Sequence, residues 1–290
     1  LCSSPSNRSR PLSRVAVSGG THGNEMSGIY LAKHWLRNPM ELRRGSFAVT
    51  PFLGNPRAIE KCVRYVGRDL NRTFTTEFLS SAEAEDKPYE VVRAREINQT
   101  YGPKGSAQAF DFMFDLHNTT ANMGACLIVD SEESLLPMHM CEALLQYKYF
   151  EGVTFLSSHS GGRQGSLPMQ CPPILSPLCP IGTVFPAFEI EAYKITGRMD
   201  YPRYPDGEIS AMVHPKLQDK DFLPMNPGDP IFQTFSGEEI LYEGDTTIYP
   251  AFINEAAYYE KKVAFAKMEK HILFNSLKIL LHPLPAPRMD

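Results

Sequence analysis

The stretch VAVSGGTHGNE, residues 15–25, runs an apolar strand into a His and a Glu three residues apart. An imidazole nitrogen and a carboxylate oxygen are both suitable zinc ligands, and the diglycine turn lets His22 and Glu25 converge on one point. Taken alone, the pair has an ordinary reading: a loop His, and a Glu where a helix dipole favours it. A second apolar run, AFDFMFDLHN (109–118), shifts the balance because it ends in His117. Catalytic zinc normally takes three protein ligands and keeps a fourth position for water. His22, Glu25 and His117 make such a His₂Glu set. Asp115, two residues before His117 on the same side of a strand, is placed to orient that imidazole.

A carboxylate clamp accompanies this set. The segment RDLNR (68–72) holds Asn71 beside Arg72, and Arg64 lies four residues before it. Arg is suited to bidentate binding of carboxylates. Without a metal site these residues read as a solvated basic loop. With one, Asn71 and Arg72 read as an anchor for a substrate carboxylate, and Arg64 as a partner for a developing oxyanion. In NEAAYYEK (254–261), Tyr258 reads on chemistry alone as a packing residue or a substrate contact. A phosphate-cradling reading of GGTHGNE is weak, since it has neither G-x-G-x-x-G spacing nor a P-loop Lys.

The elements that must position these side chains alternate in type. RVAVS (14–18) and SFAVTPFLG (46–54) read as strands. Asn24 reads as the cap of a helix running to about Arg37, and Asn55-Pro56 as the opening of a helix through Cys62. PYEVVRAREINQTYG (88–102) is a further helix, 109–118 and ACLIV (125–129) are strands, and 132–147 is a helix. That order predicts an α/β sheet flanked by helices. From Thr183 the signals become short strands punctuated by Gly, Pro and Asp: FPAFEIEAY, PIFQTF, EILYEG and TTIYPAFIN. The expected organisation is a disordered tail over 1–13, a truncated zinc-binding α/β domain over 14–156, a Pro/Gly/Ser-rich loop over 157–182 and a smaller β-rich domain over 183–290.

Bulk properties narrow the functional classes. The chain has 290 residues, 42% apolar and 21% charged, enough for a substantial core. A net charge of −4 and a pI near 6.1 do not suit a nucleic-acid binder. No apolar run approaches the roughly 20 residues of a membrane span, and no signal peptide is visible. The six cysteines form no C-x-x-C pair, and Cys62, Cys126 and Cys141 lie in apolar segments and read as free core thiols. A reducing, cytoplasmic compartment is expected.

The motifs GGTHGNE, NPRA, RDLNRTF, PYEVVRAREIN, FDLHNTTANMG, HPKLQD and NEAAYYEK together resemble the aspartoacylase family of zinc-dependent N-acyl amino acid amidohydrolases. The likeness covers roughly residues 14–150 and 183–275. It implies a fold similar to zinc carboxypeptidases and a mixed sheet flanked by helices. It also implies one zinc per subunit, held by His22, Glu25 and His117. By the same resemblance, Arg64 polarises the scissile carbonyl, Asn71 and Arg72 bind the α-carboxylate, and Tyr258 closes over a small N-acyl amino acid. A homo-oligomer is expected. ANMGACLIV, FPAFEIEAY and YEGDTTIYP resemble the branch of the family that acts on N-acetylated aromatic amino acids and mercapturates.

One segment departs from the family pattern. Between the helix at 132–147 and the strand near 183 the family carries a longer stretch. It includes a Tyr and an Arg that contact substrate, and a G-[IL]-E-[LV]-G-P-Q-P-Q-G motif whose Glu is the general base. Residues 151–182 do not match it, and their composition reads as translated intron or frame-shifted sequence, from a splice variant or a gene-model error. Glu189 and Glu191 belong to FPAFEIEAY, which follows that stretch in the family. A general base contributes about 10²–10⁴ in rate. The alternative expectation is therefore a zinc-binding but catalytically impaired isoform that acts by assembling with intact subunits.

Overall fold

The computed structural model describes residues 13–45, 47–80, 87–103, 106–129, 153–157 and 188–275. Three parallel strands carry the first half: β1 (Arg14–Gly19), β2 (Ala48–Leu53) and β3 (Phe112–Leu116), in the order β2-β1-β3. Parallel strands buried on both faces read as continuous apolar runs, as VAV of β1 does. Helices α1 (Met26–Arg37), α2 (Pro56–Lys61), α3 (Thr76–Ser80) and α4 (Tyr89–Tyr101) connect them. Ala16 and Phe52 pack on Leu70, Ala94 and Ile97, so sheet, loop and α4 share one core.

Two glycines let β1 meet α1 closely. A Cβ on Gly19 would stand 2.0 Å from the Gly28 carbonyl oxygen, a contact no larger residue survives. Gly20 then turns the chain with φ of 77°, a conformation that glycine adopts without steric cost. The start of α1 is thereby drawn against the end of β1. Asn24 does not cap it, contrary to the sequence reading. The helix begins at Met26 with Glu25 in the cap position, and no side chain caps it. Glu25 is held elsewhere, by the imidazoles described below. Asn55 does cap α2, its side-chain oxygen accepting from Ala58 N at 3.2 Å. Cys62 follows α2 in the left-handed region and is exposed, so it is not the core thiol expected, whereas Cys126 is buried as expected.

A second, mixed sheet contains β4 (Ala125–Val129), β5 (Val153–Ser157), β6 (Phe188–Met199), β10 (Tyr249–Ala251) and β11 (Phe265–Asn275), in the order β10-β11-β6-β5-β4. β4, β5 and β6 are parallel, whereas β6, β11 and β10 pair antiparallel. A small antiparallel sheet, β7 (Ala211–Val213), β8 (Pro230–Thr234) and β9 (Glu239–Leu241), completes the β-rich half. Phe265, Phe232, Tyr201 and Ile253 lie at its core. The expected tail over 1–12, the helix over 132–147 and the loop over 158–182 lie outside the described residues.

Asp221 is buried beside β10. Its Oδ1 accepts from Ile253 N at 3.2 Å, while Oδ2 has no hydrogen-bond partner among the described residues. Burial pushes its carboxyl from 3.8 up to about 6. A raised carboxyl favours folding below its unfolded value, and that contribution is lost as pH rises through the folded value. Asp221→Asn keeps the acceptor and cannot ionise. It should raise the thermal midpoint by a few degrees at pH 7.5 and leave it unchanged at pH 4, measured by circular dichroism.

Candidate metal centre

The parallel register builds the site. Gly19 pairs with Leu116 across β1 and β3, so His117 emerges beside the turn that leads to His22. C-terminal strand ends are where α/β sheets present functional groups. Glu25, at the start of α1, closes the third side. Its Oε1 lies 2.6 Å from His22 Nδ1 and its Oε2 lies 2.7 Å from His117 Nδ1. One ligand atom from each of the three residues falls within 4.8 Å of the others, and all three side chains are buried.

Each imidazole has its far nitrogen on an aspartate. His117 Nε2 lies 2.8 Å from Asp115 Oδ2, and Asp115 Oδ1 accepts from the Thr21 hydroxyl at 2.7 Å. His22 Nε2 lies 3.0 Å from Asp69 Oδ1. Three carboxylates, Glu25, Asp69 and Asp115, are thus buried around two imidazoles. Burial opposes the ionisation of Glu25, but His117 and His22 outweigh it and hold the carboxyl well below its usual range. Burial also opposes the charge on His117, yet Asp115 and Glu25 hold it up to about 10. The cluster therefore calls for positive charge between the two Nδ1 atoms and Glu25. Two nitrogens and a carboxylate oxygen are the donor set of a zinc site with an open position, so the residues fit that ion.

The basic residues border this cluster. Arg64 donates from Nη1 to Glu25 Oε1 at 3.2 Å, and its buried Nε has no hydrogen-bond partner among the described residues. Asn71 Nδ2 lies 3.4 Å from His117 Nε2. Arg72 donates from Nη1 to the Asn71 carbonyl at 3.2 Å. Tyr258 is half-buried, its phenol is raised by burial, and Arg64 and Arg72 lie within electrostatic reach of it. All eight residues singled out in the sequence thus border one region. Sequence reading missed three others. Asp69 lies inside the quoted RDLNR motif, and Lys261, with Nζ 3.2 Å from Asp69 Oδ2, closes NEAAYYEK. Glu255 is the third.

Glu255 ties the β-rich half to the metal loop. Its Oε2 accepts from the Thr119 hydroxyl, from Thr120 N at 2.8 Å and from Ala121 N at 3.3 Å. Its Oε1 accepts from Ala257 N at 3.2 Å, at the start of the turn that carries Tyr258. One carboxylate thus fixes the residues after His117 and the residues before Tyr258.

The family model for the succinylglutamate desuccinylase/aspartoacylase catalytic domain matches residues 11–168. That for the AstE/AspA barrel-sandwich hybrid domain matches residues 188–270. The chain belongs to the succinylglutamate desuccinylase/aspartoacylase family. A human N-acyl-aromatic-L-amino acid amidohydrolase (carboxylate-forming) is 50% identical to it over 318 aligned residues, covering 99% of each chain. The zebrafish (Danio rerio) aspartoacylase is 47% identical and covers 90% of this chain and 92% of its own length. The crystal structure of murine aminoacylase 3 superposes with a TM-score of 0.85 at 46% identity, over 94% of this chain and 99% of that one. A Vibrio cholerae succinylglutamate desuccinylase shares the fold alone, with a TM-score of 0.54 at 13% identity. In this chain the two matched regions meet through contacts such as those of Glu255.

Replacing Glu255 with Gln turns an acceptor into an amide facing backbone N–H groups. A hydrogen bond to a charged group contributes about 1.5–3 kcal/mol, so Glu255→Gln should destabilise the chain by about that much. Urea unfolding followed by fluorescence measures it, and an unchanged midpoint would contradict the bridging role.

Proposed function

We propose that this chain is a zinc-dependent amidohydrolase. It cleaves the amide bond of N-acyl amino acids, chiefly N-acetylated aromatic amino acids and mercapturates, to a carboxylate and a free amino acid. The observation that carries this reading is the convergence of His22, Glu25 and His117 beside Arg64, Asn71 and Arg72. Similarity to N-acyl-aromatic-L-amino acid amidohydrolases supports the substrate class.

Zinc, one per subunit, when bound by His22, Glu25 and His117 supplies a Lewis acid and lowers the pKa of water. The chain's own residues do the rest. Asn71 and Arg72 hold the substrate α-carboxylate and so set the amide in place. Arg64, with its Nε free for a further acceptor among the described residues, offsets charge developing on the carbonyl oxygen. Asp115 fixes the His117 ring. Tyr258 closes over the bound substrate and limits water.

The attacking water must also lose a proton. Glu25, Asp69 and Asp115 are each engaged by an imidazole, so none of them is free to take it. The acceptor therefore comes from outside these three. The family's general-base motif was not found in residues 151–182, most of which lie outside the described residues. The impaired-isoform reading that follows from its absence is not favoured by the comparisons: identity to the human amidohydrolase extends over 99% of both chains. Cysteine usage supports a cytoplasmic setting, and the family resemblance supports a homo-oligomer. Among the described residues no helix is long and apolar enough to cross a membrane.

The deciding assay is turnover of N-acetyl-L-tyrosine and N-acetyl-L-aspartate by the zinc-loaded chain. We expect hydrolysis that favours the tyrosine derivative and falls to the blank in His22→Ala. Turnover that survives in His22→Ala would refute the metal assignment. A folded, zinc-containing chain without turnover would refute the hydrolase reading.

A further inference from the structure

Asp69 stands at a junction that neither the clamp nor the three metal ligands account for. It is buried, and its two oxygens serve different groups. Oδ1 faces His22 Nε2 at 3.0 Å and accepts from Asn71 N at 3.0 Å, capping the short turn Leu70–Arg72. Oδ2 faces Lys261 Nζ at 3.2 Å and Arg64 Nη2 at 3.6 Å.

Asp69 is thus ringed by donors, with Asn71 N on one oxygen and the Lys261 and Arg64 cations on the other, and is placed as an acceptor. When an ion is held at Nδ1, the His22 nitrogen that faces Asp69 is the one that keeps a proton, and Asp69 Oδ1 is placed to accept it. Nδ1 is also the atom that faces Glu25, at 2.6 Å. His117 repeats the arrangement, with Nε2 on Asp115 and Nδ1 on Glu25. The two imidazoles thus have matching supports, one from β3 and one from the RDLNR loop.

We propose that Asp69 is a positioning residue of the metal centre: it fixes the His22 ring and its tautomer so that Nδ1 presents a lone pair to the ion, and it ties that ring to the turn bearing Asn71 and Arg72. The proposal rests on the zinc reading above. Lys261, from the β-rich half, and Arg64 hold the other carboxylate oxygen and so aim Asp69 at His22.

A purely structural role, as cap of the Leu70–Arg72 turn, makes a different prediction. Asn caps as well as Asp, so Asp69→Asn retains the cap while losing the charged acceptor for His22. Zinc affinity is measured by chelator competition on the full-length chain, with Asp115→Asn as the benchmark. Loss of a carboxylate behind a metal-bound His costs about 10–100-fold in affinity. We expect Asp69→Asn to fall in that range with an unchanged metal-free thermal midpoint. An affinity within twofold of wild type would overturn the proposal. If Asp69→Asn does not fold, nitrogen NMR of the zinc-loaded wild type with labelled histidine decides. Metal on His22 Nδ1 with a protonated Nε2 supports the proposal, and the reverse tautomer overturns it. A wild-type chain that binds no zinc would overturn the metal reading itself and this proposal with it.

Discussion

Two imidazoles that share one buried carboxylate impose the constraint on which the rest depends. Glu25 faces His22 and His117 at hydrogen-bond distance, while Asp69 and Asp115 stand behind the rings. Burying three carboxylates is costly unless each is paired and positive charge is supplied. In the chain alone, protonated imidazole, Arg64 and Lys261 supply it. A dication in the same place would satisfy all three ligand atoms at once and release the proton between Glu25 and His117. Such a concentration of buried charge is what a cation-binding site presents, and it fits the zinc reading proposed above.

The fold delivers these groups with few long segments. Adjacent parallel strands end level with one another, which sets His117 beside the turn to His22. Gly19 and Gly20 permit α1 to start against the end of β1, which brings Glu25 to the same point. Asn71 and Arg72, the proposed clamp, arrive on a loop held by Asp69 and by Glu90, whose carboxylate accepts from Val66, Gly67 and Arg68 backbone N–H groups at 2.7–3.1 Å. The β-rich half contributes through Glu255, Tyr258 and Lys261. The centre is therefore assembled from both matched domains of the family.

Much of this was legible in the sequence because the information is local. An apolar run followed by H-x-x-E, or by D-x-H, announces a strand end carrying ligand-type side chains, and the structure brings His22, Glu25 and His117 together. Asn55-Pro56 announces a cap, and the structure bears it out. Asn24 misled because its sequence position favours a cap, while the start of α1 is set by tertiary contacts of Glu25. Cys62 misled because a short apolar segment was read as core, whereas it follows α2 on the surface in a left-handed turn. β11 was not recognised, since Lys267, Glu269, Lys270 and His271 interrupt its apolar pattern, and its pairing with β6 makes it a strand. Asp69 and Glu255 act across 47 and 135 residues of chain, and no periodicity records such contacts.

The central claim is that one ion sits between His22, Glu25 and His117. Anomalous diffraction at the zinc edge from crystals of the zinc-loaded chain tests it most directly. The account predicts a single strong peak about 2.0–2.2 Å from His22 Nδ1, His117 Nδ1 and a Glu25 carboxylate oxygen. A peak at other residues, or none with zinc in excess, would contradict it.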